Sequence, residues 1–173
     1  DKTAFSRWNR AYGLDANWQA SPGQRVSAFI ARTDSPNAPG TASTGTTSDY
    51  SWRGFYEFRN PVWQVSGGYS QVGTNFNPEV GFLPRRGFRR PEFRAFYQPQ
   101  PKRPRWIRRV APHVSYNAFY GFANALQTSA PHFHPVEIQP MQGGRFGVFF
   151  DRNADNPVAP FTVYNRDAKR VTI

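Results

Sequence analysis

The sequence predicts an all-β, antiparallel fold. Three observations carry that expectation: two-residue alternation in many segments, an apolar content drawn from aromatic residues, and connections that alternate between short and long. The alternation is clearest from Trp8 to Trp18. Trp8, Tyr12, Leu14, Ala16 and Trp18 share one side, broken only by Arg10. Arg7, Asn9, Gly13, Asp15, Asn17 and Gln19 share the other, interrupted by Ala11. A period of two belongs to a strand with one apolar and one polar face. The two indoles lie roughly 33 Å apart along extended chain, or about 23 Å along a membrane normal at a tilt of about 45°. An apolar face bounded by interfacial aromatics at that spacing suits a membrane-spanning strand.

The same pattern marks the other strands in order. Residues 24–33 carry Val26, Ala28 and Ile30 on one side, less cleanly because Phe29 and Ala31 fall on the other. In 50–59, Trp52, Gly54, Tyr56 and Phe58 oppose Arg53, Glu57 and Arg59. In 62–71, Trp63, Val65 and Tyr69 oppose Gln64, Ser66 and Ser70. Segment 92–98 sets Phe93, Ala95 and Tyr97 against Glu92, Arg94 and Gln98. The longest, 112–124, sets Val114, Tyr116, Ala118, Tyr120 and Phe122 against His113, Ser115 and Asn117. Segment 144–151 sets Phe146, Val148 and Phe150 against Arg145 and Asp151. With strand 7–19 these complete the β-barrel segment expected over 1–152, and no helix is expected. Residues 153–173 are read as one extra strand or an irregular end.

Composition agrees with strands that face lipid on one side and water on the other. Aromatic residues make up 17% of the 173 residues, while mean hydropathy is −0.69. Sixteen Phe and eight Tyr stand against three Leu, four Ile and one Met, so the usual material of a soluble core is scarce. No window approaches the roughly 18 apolar residues of a transmembrane helix, which leaves a barrel open. A net charge of +11 suits nucleic acid or anionic lipid headgroups equally well. The absence of cysteine excludes disulfides and Cys-ligated zinc. The chain begins at Asp1 without a basic-then-apolar leader, and reads as a mature segment or an excerpt of a longer protein.

Short turns at 20–23 and 60–61 alternate with long connections at 34–49 and 73–90. In outer-membrane barrels the short turns are periplasmic and the long loops external. Connection 99–109 is periplasmic by parity. Seven antiparallel strands do not make an ordinary single-chain barrel, and an open arc would leave two edges in lipid. The expected fold is therefore a transmembrane segment of about seven to eight meandering strands from a larger barrel.

Val72 to Phe82 reads Val-Gly-Thr-Asn-Phe-Asn-Pro-Glu-Val-Gly-Phe and is followed by Arg85 and Arg86. This motif resembles the hallmark of the DUF5916 domain, the C-terminal part of bacterial proteins that often carry an N-terminal family-9 carbohydrate-binding-like domain. The resemblance covers roughly residues 6–151, including the aromatic strand before the motif, the Phe/Arg-rich strand after it and the basic turn at 101–109. It implies an outer-membrane β-barrel of poorly defined function whose N-terminal domain and further strands lie elsewhere. Pro84 and the proline-rich 99–104 turn depart locally from the pattern.

The candidate site residues follow. Asn75, Phe76, Asn77, Pro78, Glu79, Gly81, Phe82, Arg85 and Arg86 form a structured loop or barrel-mouth element. Asn caps and the Pro kink shape it; its phenylalanines and a Glu79–arginine pair would hold it together, or it folds into the mouth as a constriction. Trp8, Trp18, Trp52, Trp63 and Trp106 are expected as interface anchors. Lys102, Arg103, Arg105, Arg108 and Arg109 are expected to meet lipid headgroups or another polyanion. His132 and His134, at i and i+2, could in a strand point the same way toward a metal, but without a nearby cysteine or acidic cluster they and His113 are read as surface histidines, the pair flanked by Pro131 and Pro135. No catalytic residue, metal or cofactor is expected: paired acids, a nucleophile elbow and a phosphate-cradling loop are all missing. Residues 151–156 lack the glycine and terminal glutamate of a calcium loop.

The expected role is thus a non-enzymatic scaffold, channel wall or assembly component in the outer membrane of a Gram-negative bacterium. Its expected partners are phospholipid or lipopolysaccharide headgroups and the remainder of its barrel or other subunits. One alternative is a soluble basic β-domain that binds nucleic acid or another polyanion, although no RRM, KH or helix–turn–helix signature supports it. Another is the barrel part of a longer protein whose N-terminal domain binds carbohydrate or carries an activity.

Overall fold

The structure is a computed structural model and describes residues 8–34, 49–79, 83–155, 162–164 and 170–172. Among the described residues it is all-β and antiparallel, with no helix. The strands are β1 (Arg10–Ser21), β2 (Gln24–Asp34), β3 (Tyr50–Arg59), β4 (Trp63–Val72), β5 (Phe88–Tyr97), β6 (Ile107–Val110), β7 (His113–Gly121), β8 (Leu126–Ser129), β9 (His132–Pro140), β10 (Phe146–Asp151) and β11 (Ala154–Asp155). A separate two-stranded ribbon joins β12 (Thr162–Tyr164) to β13 (Arg170–Thr172).

Eleven strands form one sheet, and its register simplifies it. β7 pairs Ala118 with Ser129 of β8 and Ser115 with His132 of β9, so β8 and β9 follow one frame across Ala130-Pro131. β11 continues β10 in the same way, with Ala154 opposite Ser129 and Asp151 opposite His132. β6 lies beside β9 as β7 does, with one step of register lost near Pro112 and Pro135. The sheet is therefore a meander of eight staves: β1 to β5, then β6–β7, β8–β9 and β10–β11. Proline interrupts β6–β7 at Pro112 and β8–β9 at Pro131 because it cannot donate to a ladder; β10–β11 breaks at Arg152-Asn153, opposite Pro131. Strand β9, with Pro135 inside it, lies where alternation marks no strand.

Row by row, the register separates two faces. One face carries Leu14, Ile30 and Trp52 side by side, then Ala16, Ala28, Gly54 and Tyr69. Next come Trp18, Val26, Tyr56, Gly67, Phe93 and Tyr116, followed by Phe58, Val65, Ala95, Val114, Phe133 and Phe150, and finally Trp63 beside Tyr97. The opposite face carries Asp15, Arg25, Arg53, Glu57, Arg59, Ser66, Ser70, Arg90, Glu92, Arg94 and Asn117.

Little of the molecule is buried. The core is one small cluster of Val72, Phe76 and Phe88, joined by Ala31, Leu83 and Phe119. No large side chain among the described residues is fully enclosed. The sheet does not close among the described residues: β1 bonds only to β2, and β10 only to β9. A closed barrel is thus not formed by these staves alone.

Candidate functional site

The apolar face is exposed, although a soluble protein would bury it. Leu14 is 78% exposed and Trp18 65%; Ile30, Tyr56, Phe93, Phe133 and Phe150 are exposed beside them. Contiguous exposed apolar patches of this kind mark a partner, a ligand or a membrane. Four of the five candidate anchors lie in or beside the sheet. Trp18, Trp52 and Trp63 are on this face, and Trp8 sits just before β1 with the Arg10 guanidinium 4.9 Å above its ring. Trp52 stacks on Tyr69 at 5.4 Å and Trp63 meets Tyr97 at 4.5 Å. Trp106 is exposed in the 98–106 connection, where its carbonyl accepts from the Met141 amide.

The polar face is cross-linked. Arg53 donates twice to Glu92 Oε1, at 2.7 and 3.1 Å. Arg90 approaches Glu92 Oε2 at 3.7 Å and donates to Asn117 at 2.8 Å. Arg90, Glu92 and Asn117, with Phe55, Ser66, Arg94 and Ser115, line a cavity on this face. Phe55 covers Gly68 on the adjacent stave, where a Cβ would fall 2.6 Å from its ring. Glycine is needed there because the ring occupies the space.

The described residues of the 73–87 connection, 73–79 and 83–87, fold over the polar face at one end of the sheet. Phe76 packs on Val72 and Phe88. The Asn77 amide donates to Thr33 Oγ1 at 2.9 Å, and Asn9 donates to the Asn77 carbonyl at 2.8 Å. Arg86 reaches the Asn77 side-chain oxygen. Glu79 accepts from Asn77 at 3.5 Å. Arg85 sits over the Phe119 ring and donates to Thr128 at 3.3 Å. Asn75 and Pro78 belong to the same half-buried turn. Gly81 and Phe82 lie outside the described residues, as does most of the 34–49 loop. Gly87 adopts φ +69° at the end of the connection, a conformation that favours glycine.

The basic run divides. Lys102, Arg103, Arg105 and Arg108 are exposed at the opposite end of the sheet. Arg109 is not part of that solvated turn. It is half-buried and donates to Gln98 at 3.2 Å and to Gln139 at 3.0 Å, and Gln139 in turn donates to Glu137 at 3.1 Å.

The histidines are corrected outright: they are not scattered surface groups. His132 and His134 are two residues apart on β9 and share a face, and the register sets His113 of β7 opposite His134. All three rings converge on the polar face, with centroids 4.3–5.0 Å apart. One ring nitrogen from each lies within 4.8 Å of the others. Phe96 stacks on His113 and Phe149 on His134. The register shift in β9 near Pro135 turns the chain so that Glu137 faces the same rings, although it is three residues from His134. Glu137 is only 4% exposed, and its carboxylate lies 3.5 Å from His134 Nδ1 and 3.9 Å from His113 Nδ1. The Asp151 carboxylate accepts from His132 Nδ1. The His132/His134 spacing was the one signal in the sequence; His113 and Asp151 join through pairing, and Glu137 through the register shift within β9.

Compared with known proteins, the chain matches no family model, no curated protein and no solved structure.

Proposed function

We propose that this chain is a non-enzymatic segment of a bacterial outer-membrane β-barrel, a scaffold, channel wall or assembly component of the kind its DUF5916-like motif implies. The observation that carries the reading is the exposed apolar face, continuous across staves that carry arginines and glutamates on their other side. Apolar-out and polar-in alternation is what lipid outside and water inside require. The open edges at β1 and β10 extend the proposal. Unpaired backbone groups are not tolerated in hydrocarbon, so further strands, from the same barrel or from partner subunits, complete the ladders. The exposed lysine and arginines of the 98–106 turn, with Arg108 beside it, then meet lipid headgroups, and Trp106 sits at the interface.

The test is extraction and reconstitution. The chain should need detergent to stay monodisperse, and should float with phospholipid vesicles after washing at high salt and alkaline pH. A monodisperse chain in plain buffer would overturn the proposal. Salt-sensitive retention on DNA by that soluble chain would favour the polyanion reading instead.

A further inference from the structure

We infer that His113, His132 and His134 form a binding site for a divalent transition-metal ion, with zinc as the representative occupant. The inference is independent of the membrane reading, because it rests on the polar face alone. Its first support is the protonation that the neighbours impose. His113 Nδ1 lies 3.0 Å from the Ala111 carbonyl, which can only accept, so the proton sits on Nδ1 and Nε2 carries a lone pair. His132 Nδ1 is held by the Asp151 carboxylate, which places the lone pair of that ring on Nε2 as well. These two Nε2 atoms face each other at 3.0 Å. Two lone pairs at that distance repel unless a cation is shared between them.

The second support is the unbonded ring nitrogen and the buried carboxylate around the third ring. His134 Nδ1 is buried and makes no hydrogen bond. Glu137 is a buried carboxylate at the same point; it accepts from Gln139 at 3.1 Å, and its cationic partner is the exposed Arg145 guanidinium at 3.9 Å, a long and solvent-screened pair for a buried anion. A dication held by the imidazoles offsets it. Zinc–nitrogen bonds of about 2.1 Å at tetrahedral angles put ligand nitrogens roughly 3.4 Å apart; here one pair is 3.0 Å apart and all three nitrogens lie within 4.8 Å, so small ring rotations bring them to that spacing. A carboxylate and a backbone carbonyl, as Asp151 and Ala111 are here, are the usual outer partners of ligating histidines. A nitrogen-only donor set of this kind selects zinc, cobalt, nickel or copper over calcium or magnesium. Asp151 is then a positioning residue for His132, and Glu137 supplies compensating charge.

The experiment uses the full chain without an affinity tag, so its three histidines are the only imidazoles present. Zinc is titrated in competition with a chromophoric chelator, and cobalt is added as a spectroscopic probe. The expected result is one ion per chain, a cobalt spectrum typical of nitrogen ligation, and weaker binding on acidification as protons compete for the rings. Each of His113→Asn, His132→Asn and His134→Asn should weaken binding by about 100-fold, and Asp151→Asn by roughly 10- to 100-fold. Should these variants fail to fold, zinc must protect the histidines of the unaltered chain from diethyl pyrocarbonate. Zinc binding unchanged by the histidine substitutions, or no zinc-dependent protection, would overturn the site. A cluster that binds only a shared proton would show the second of these results.

Discussion

The apolar face makes a prediction that adjacent residues can test. Ala28 and Ser27 are neighbours on β2 and point to opposite faces, Ala28 among Ala16 and Gly54, Ser27 between Asn17 and Phe55. Ala28 is four residues from the Gln24 end of its strand and six from the Asp34 end. At a tilt of about 45° that places it roughly 9 Å below one rim of the apolar band and about 14 Å from the other, near the bilayer centre. Its small neighbours leave room for a long side chain, and a Cβ at Gly54 would meet nothing within 4 Å. Crowding therefore does not enter the comparison. Ala28→Arg should cost about 2–4 kcal/mol, the penalty for a lipid-facing arginine near the midplane. Ser27→Arg, directed at water and the polar network, should stay within about 0.5 kcal/mol. Urea unfolding of the chain in phospholipid vesicles, followed by tryptophan fluorescence, reads both. Equal effects of the two substitutions would refute the assignment of the apolar face to lipid.

Other perturbations follow from the packing. Gly68→Val should destabilise by about 1–3 kcal/mol, because its Cβ would fall 2.6 Å from the Phe55 ring and 2.8 Å from the Gly54 carbonyl. Removing the ring with Phe55→Ala should recover only part of that loss in a denaturant titration, since the carbonyl remains. Glu92→Gln strips the charged acceptor from Arg53 and Arg90, and should cost about 1.5–3 kcal/mol, with the difference shrinking as salt is raised. Phe76→Ala should cost about 3 kcal/mol and expose the 73–87 connection to limited proteolysis. In a reconstituted pore the same change should raise conductance, since the connection covers one end of the polar face; unaltered cleavage and conductance would remove it from that role.

Legibility differed along the chain for a physical reason. From β1 to β5 each strand bonds to the next, no proline breaks alternation in the first four, and the period of two is written directly in the residues. Beyond β5 alternation still marks β7 and β10 but not β6, β8, β9 or β11. In β9, Phe133 and Val136 share the exposed apolar side although three residues separate them. The shift near Pro135 reverses the parity there, and no periodicity spans a bulge. The loop motif showed Phe76, Asn77 and Arg86 as a unit, but not that Thr33 and Asn9 hold it down from distant strands.

By itself the sequence determined the all-β class, the two-faced strands and the aromatic content, since each depends on residues a few positions apart. Only the tertiary structure decided the frame that makes eight staves of eleven strands, and with it the histidine cluster. His113 and His134 are 21 positions apart, and antiparallel pairing alone sets them opposite each other. A single step of register would send one ring to the other face, because side chains alternate with every residue.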